Sequence, residues 1–191
     1  GLTFIEEEHT QEALDNFNKA LALNNSDIKP MASIAIADIY VKEDKCELAL
    51  QLYNDTLTHY PGVSNLIYPK IAQAFAKTGD YANALDYYRK GLDGVPAKDR
   101  PALHLRIAEI QETRGSLDEA IKEYLEVVKP ANQDNSLKVK ALLRIGQIYE
   151  DKENPKEAAG FYNRIVDMRV PESKFAKERI NRLKPSPNKN S

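Results

Sequence analysis

One phrase recurs along this chain and constrains its fold more than any other feature. "KCELALQLYNDTL" at 45–57, "GDYANALDYYRKGL" at 79–92 and "GSLDEAIKEYLEV" at 115–127 share a layout: turn residues, an alanine, and an aromatic four residues later. Aligned on the small residue, the anchors are Ala13, Ala49, Ala84, Ala120 and Ala158, with steps of 36, 35, 36 and 38. The aromatics are Phe17, Tyr53, Tyr88, Tyr124 and Tyr162. Twelve residues before each anchor stands another small residue: Gly1, Ala37, Ala72, Ala108 or Gly146. From the second unit on, Ile36, Ile71, Ile107 or Ile145 precedes it. Nine residues before the anchor stands Phe4, Tyr40, Phe75, Gln111 or Tyr149. Pro61, Pro96, Pro130 and Pro171 fall near the ends of units. A period of this length marks a stack of supersecondary units.

Each unit reads as two helices. Tyr81, Ala84, Leu85 and Tyr88 show the spacing of one helical face. Small residues let two helix backbones approach, and aromatics fill the space beside them. Turn signals separate the halves: Lys45, "TGD" at 78–80, "RGS" at 114–116 and "ENP" at 153–155. Pro155 suits the first turn of a helix, where no donor is lost. One helix pair cannot hide its apolar face alone, so the pairs stack. The expected helices cover 2–8 and 10–23, 28–43 and 46–59, 65–78 and 81–94, 99–114 and 117–129, 135–152 and 155–168, then 172–184. Pro69 predicts a late start or a kink in the helix that holds it.

The repeat resembles the tetratricopeptide repeat, whose pattern sets Leu-Gly, Tyr, Gly, Ala, Phe and Pro at fixed offsets. The resemblance runs from residue 1 to about 171. It departs from the family where tryptophan is usual early in the first helix: Ser33, Tyr68, His104 and Leu142 stand there. It implies an all-α, right-handed superhelix, an α-solenoid of antiparallel helix pairs with a C-terminal capping helix. The expected parts are a partial first repeat at 1–25, repeats at 26–62, 63–97, 98–133 and 134–171, a cap at 172–184 and a disordered tail at 185–191. Gly1 falls at mid-helix in the pattern, which predicts further chain upstream. The closing "AKERINRL" and the "HYPGVSN" at 59–65 are similar to bacterial cell-envelope tetratricopeptide proteins. Those are of the Tol-Pal-associated coordinator and outer-membrane assembly lipoprotein type. That likeness implies a bacterial periplasm or cell envelope, with cytoplasm as the alternative.

Charge narrows the function classes. Lys plus Arg is 27 and Asp plus Glu is 29, which speaks against a dedicated nucleic-acid binder. No apolar run approaches the roughly 18 residues of a membrane span. A lone cysteine, Cys46, forbids an internal disulfide; it takes a packed position and is expected to be buried and inert. His9, His59 and His104 lack second ligands at metal spacing. His104 replaces a large packed residue and is read as packing or partly exposed. No phosphate loop, nucleophile elbow or zinc motif occurs. The chain is therefore read as non-catalytic, with no cofactor and no metal.

The remaining candidate is the groove wall, lined in this family by the first helix of each pair. One column carries Ala35, Lys70, Arg106 and Arg144; the next turn carries Asp38, Gln73, Glu109 and Gln147; Lys140 joins the last unit. A basic stripe beside an acidic-or-amide stripe suits a peptide or helix of another protein. The expected groove residues are Lys70, Gln73, Arg106, Glu109, Lys140, Arg144 and Gln147. Arg106 can instead pair with Glu109, three residues on. The family's carboxylate clamp matches only at Lys140 and Arg144, because Pro69, Gln73 and Arg106 replace its other residues. Three readings stay open: an interaction scaffold, a spacer or arm that self-associates through the incomplete first repeat, and substrate-presenting repeats of an enzyme whose catalytic domain lies elsewhere.

Overall fold

Four turns of one kind organise the chain in its computed structural model. In each, a backbone N–H reaches the carbonyl five residues earlier: Lys45 to Tyr40 at 2.8 Å, Asp80 to Phe75 at 2.9 Å, Ser116 to Gln111 at 2.8 Å and Asn154 to Tyr149 at 2.8 Å. This is the Schellman closure, and it needs one residue in the left-handed region. Gly79 and Gly115 take it without a side-chain penalty, at φ 82° and 76°. Asp44 and Glu153 take it at φ 61° and 54°.

The structure describes residues 2–22 and 28–184. Among them are ten α-helices and no strand: α1 Leu2–Ala22, α2 Ile28–Lys42, α3 Cys46–His59, α4 Ser64–Lys77, α5 Tyr81–Gly94, α6 Arg100–Thr113, α7 Leu117–Val127, α8 Asn135–Asp151, α9 Pro155–Asp167 and α10 Ser173–Leu183. Gly1, the Phe4 side chain and the expected tail at 185–191 lie outside the described residues.

Two units divide the chain, residues 1–95 and 96–191. In the first, α1 lies on α2, and α2/α3 and α4/α5 form hairpins. Its core gathers Ala37, Ala49, Tyr53, Ile67 and Ile71. In the second, α6/α7 and α8/α9 form hairpins and α10 packs on α9. Its core gathers Ala108, Ala120, Tyr124, Ile145 and Tyr162, and Ala176 of α10 closes it. The anchors Ala49, Ala84, Ala120 and Ala158 are all fully buried.

Two expectations are corrected. The first is the helix–turn–helix at 2–8 and 10–23: α1 is one continuous helix, Leu2–Ala22. Register places Glu8 and His9 where the other units have their left-handed residue and N-cap. Asp80 and Asn154 cap the following helix by accepting from the Asn83 and Glu157 N–H groups. No turn forms at that register in α1, and the helix runs on through both residues. The second is the late start expected at Pro69. Helix α4 starts before it, at Ser64, fed by a 3-10 turn at Pro61–Val63. Pro69 lies inside α4, where it removes the N–H that would reach the Asn65 carbonyl and crowds that carbonyl with its ring.

Candidate functional site

Three buried tyrosines, Tyr53, Tyr124 and Tyr162, carry polar tips, and each of these tips has a built receiver. Tyr53 Oη donates to Asp38 at 2.5 Å, Tyr124 Oη to Glu112 at 2.8 Å and Tyr162 Oη to Glu150 at 2.5 Å. Each carboxylate sits on the first helix of the same pair. A cation from the next element holds it in turn: Lys70 Nζ on Asp38 at 2.5 Å, the Arg144 guanidinium on Glu112, and the Arg179 guanidinium on Glu150. Arg144 also reaches Glu112 through Nε at 3.2 Å, and Arg179 reaches Glu150 through Nε at 3.0 Å. A planar fork on a carboxylate adds geometric specificity to charge. Tyrosine, carboxylate and cation thus join three helices at a time.

Burial, then the hydrogen bond to a carboxylate, pushes all three phenols well above the usual tyrosine range. An unfolded phenol ionises near ~10, whereas these stay protonated in the fold, so their contribution is complete below that pH and is lost as pH rises beyond it. In an absorbance titration, Tyr53, Tyr124 and Tyr162 are expected to ionise only as the helical circular-dichroism signal collapses. Titration of all ten tyrosines with the helices intact would show these three phenols are not held.

The second unit gathers five of the expected groove residues on α6 and α8. Arg106 Nη1 lies 3.0 Å from Glu109, and Lys140 Nζ lies 2.5 Å from the other oxygen of Glu109. Arg144 Nη1 donates to Gln147 at 2.6 Å. Beside them opens a cleft of about 400 Å³ lined by Glu109, Glu112, Thr113, Tyr124, Lys140 and Arg144. Arg106 and Lys140 are more than half exposed, at 59% and 51% of their side chains, while Glu112 is 17% exposed. Arg144 is therefore tied into the wall through Glu112, and Arg106 and Lys140 are its more exposed cations.

In the first unit, Lys70 is taken up by Asp38 and Gln73 is exposed on α4. There the exposed side chains at the register of Lys140 are Met31 and Leu66, at 51% and 50%. The sequence reading of the groove omits Glu112, Thr113, Tyr124, Met31 and Leu66. A usable signal existed for one of them: Glu112 and Glu150 both stand eight residues before an anchor alanine. His104 is mostly buried, with Nδ1 2.7 Å from Glu123, so it packs within the hairpin. Cys46 is buried and unpaired with any other cysteine.

Residues 70–136 and 139–169 each match a family model described as tetratricopeptide repeat, and together they cover about half of the chain. With the fold, they show that the chain belongs to the tetratricopeptide repeat family. No curated protein matches the sequence significantly. Among solved structures, the C-terminal part of a TPR repeat-containing protein from Cytophaga hutchinsonii is similar at 18% identity and TM-score 0.75 over 93% of this chain. This chain spans 66% of that one, just under two thirds. MamA is similar at 18% identity and TM-score 0.68, covering 90% of this chain and 94% of its own. YrrB, described as a TPR protein with an unusual peptide-binding site, is similar at 18% identity and TM-score 0.63, covering 92% and 86%. At these identities the likeness concerns the fold. Among the described residues no helix is long and apolar enough to cross a membrane.

Proposed function

We propose that this chain is a non-catalytic protein-interaction scaffold and that a partner segment bearing carboxylates lies along α6 and α8. One observation carries this reading: the cleft beside Lys140 and Arg144 sets three cations, Arg106, Lys140 and Arg144, against two carboxylates, Glu109 and Glu112. Glu109 already bridges Arg106 and Lys140, so an incoming carboxylate takes over ready-placed donors. Gln147 and Thr113 stand beside them for backbone groups of an extended chain. The peptide-binding site described for YrrB lends the reading an analogy on the same fold.

The test is an array of immobilised acidic peptides probed with the chain. The double variant Arg106→Glu, Lys140→Glu is expected to lose about tenfold or more in affinity for the peptides that wild type selects, and wild-type binding should weaken with salt. Undiminished binding by the double variant rejects the cleft. Arg144 is unsuitable for this purpose, because its loss also frees Glu112 inside the wall.

A second reading, self-association through the N-terminal end, is favoured by α1 itself: Ala13 and Phe17 are only half-buried, although their counterparts in α3, α7 and α9 are fully buried. Residence in a bacterial envelope belongs to the same proposal, and fractionation of the native cell decides it.

A further inference from the structure

Helix α1 holds the second-helix register, and among the described residues no first helix pairs with it. Its anchor Ala13 and its neighbours Leu14, Phe17, Ala20 and Leu21 are all partly exposed, whereas Ala49, Ala84, Ala120 and Ala158 show no exposure. The cause is topological: among the described residues α1 packs on α2, and no helix folds back over its other side. Two clefts flank it as a result. One, of about 520 Å³, is lined by His9, Thr10, Ala13, Ile39, Lys42 and Glu43. The other, of about 290 Å³, includes Leu21, Ile36, Tyr40, Leu48 and Leu52.

Helix α10 is the reverse case. It holds a first-helix position, and among the described residues no second helix pairs with it. Ala176 is buried against the core, and Ile180 and Leu183 pack there in part. On its other side Phe175 is 43% exposed. The described helices therefore open on a second-helix position and close on a first-helix position. Their charges are opposite. Helix α1 carries Glu6, Glu7, Glu8, Glu12 and Asp15 against Lys19, and α10 carries Lys174, Lys177, Arg179 and Arg182 against Glu178. Glu12 and Asp15 are exposed, as are Lys174, Lys177 and Arg182.

We propose that α10 of one copy pairs with α1 of the next, so that two copies complete one repeat in trans. The inference rests on the self-association reading above and adds its complementary surface. Phe175 supplies the apolar contact for the half-covered stripe of α1, and the basic and acidic faces set partner and orientation. The contact is heterologous, since the two surfaces differ, so each copy keeps a free end and growth continues head to tail.

The chain is followed by light scattering over a wide range of concentration, at low and high salt. Growth with concentration and reversal by salt are expected. The variant Lys174→Glu, Lys177→Glu, Arg182→Glu is expected to raise the apparent dissociation constant by more than about tenfold, as is Glu12→Lys, Asp15→Lys. Arg179 is left untouched because it holds Glu150. Mixed one to one, the two variants are expected to associate again with the variants alternating, because the reversed α10 of one attracts the reversed α1 of the other while their unaltered α1 and α10 still pair. Circular dichroism confirms that each is folded. A chain that stays monomeric at every concentration overturns both readings and leaves the α1 face to another occupant, such as a preceding helix of a longer polypeptide. Association that is indifferent to the α10 reversal overturns the role of α10 while self-association stands.

Discussion

Tyr124→Ala is expected to destabilise the second unit by about 3–5 kcal/mol, the usual cost of truncating a buried aromatic ring. The ring is fully buried between α6, α7 and α8 and belongs to the same core as Ala108, Ala120 and Ile145. Its loss leaves a hole that neighbours on three helices cannot close together. Tyr124→Phe keeps the ring and removes one donor, for which about 0.5–1.5 kcal/mol is expected. The ring therefore outweighs the hydroxyl by several-fold. Glu112 keeps Arg144 in either variant, so no bare carboxylate adds to the cost. Urea unfolding followed by circular dichroism reads both values. An alanine variant within about 1 kcal/mol of wild type would show that this ring is not what joins the pairs. A cycle with Glu112→Gln then isolates the hydroxyl–carboxylate coupling.

The same residues explain what the sequence could and could not reveal. Ala49, Ala84, Ala120 and Ala158 announce helix contact through spacing alone, because a buried position tolerates few residue types at a fixed offset. The expected helices at 46–59 and 81–94 match α3 and α5 to the residue; a left-handed residue precedes each start, and at α5 Asp80 adds a cap. The hairpin expected at 2–23 is one continuous helix: periodicity shows which face is apolar and does not by itself show where the chain reverses. The groove was legible by column and illegible by contact. Arg106, Lys140 and Arg144 were found as cations at the right register, but their partners depend on side-chain reach across helices. Thus Glu109 binds two cations at once, and Glu112 turns inward to a tyrosine. Asp38 does the same work from a position eleven residues before its anchor, instead of eight, so no single offset identifies the tyrosine's receiver.

The second large effect is expected at Gly146, where packing and helix propensity pull in opposite directions. Ala37, Ala72 and Ala108 hold this position in other units, so alanine looks harmless from the sequence. In α8 it is not. A Cβ placed on Gly146 would lie 2.6 Å from Cε1 and 2.7 Å from Cζ of Tyr162. The ring cannot retreat, because it is fully buried and its hydroxyl is held 2.5 Å from Glu150, itself gripped by Arg179. Alanine gains about 1 kcal/mol of helix propensity, and overpacking costs about 1–3 kcal/mol, so Gly146→Ala is expected to be destabilising by up to ~2 kcal/mol. Gly146→Leu adds three more carbons to the same contact and is expected to unfold the α8/α9 hairpin outright. Gly160 supplies the control: it is exposed on α9 with nothing within 4 Å of its built Cβ, so Gly160→Ala is expected to stabilise by about 0.5–1 kcal/mol. If thermal melting shows Gly146→Ala stabilising as much as Gly160→Ala, Tyr162 moves aside freely. The tyrosine–carboxylate–cation joint would then lack the rigidity that its geometry implies. If instead the Gly146→Ala loss shrinks when combined with Tyr162→Phe, the hydroxyl tether is what denies the ring room, and the relay and the close helix contact act as one device.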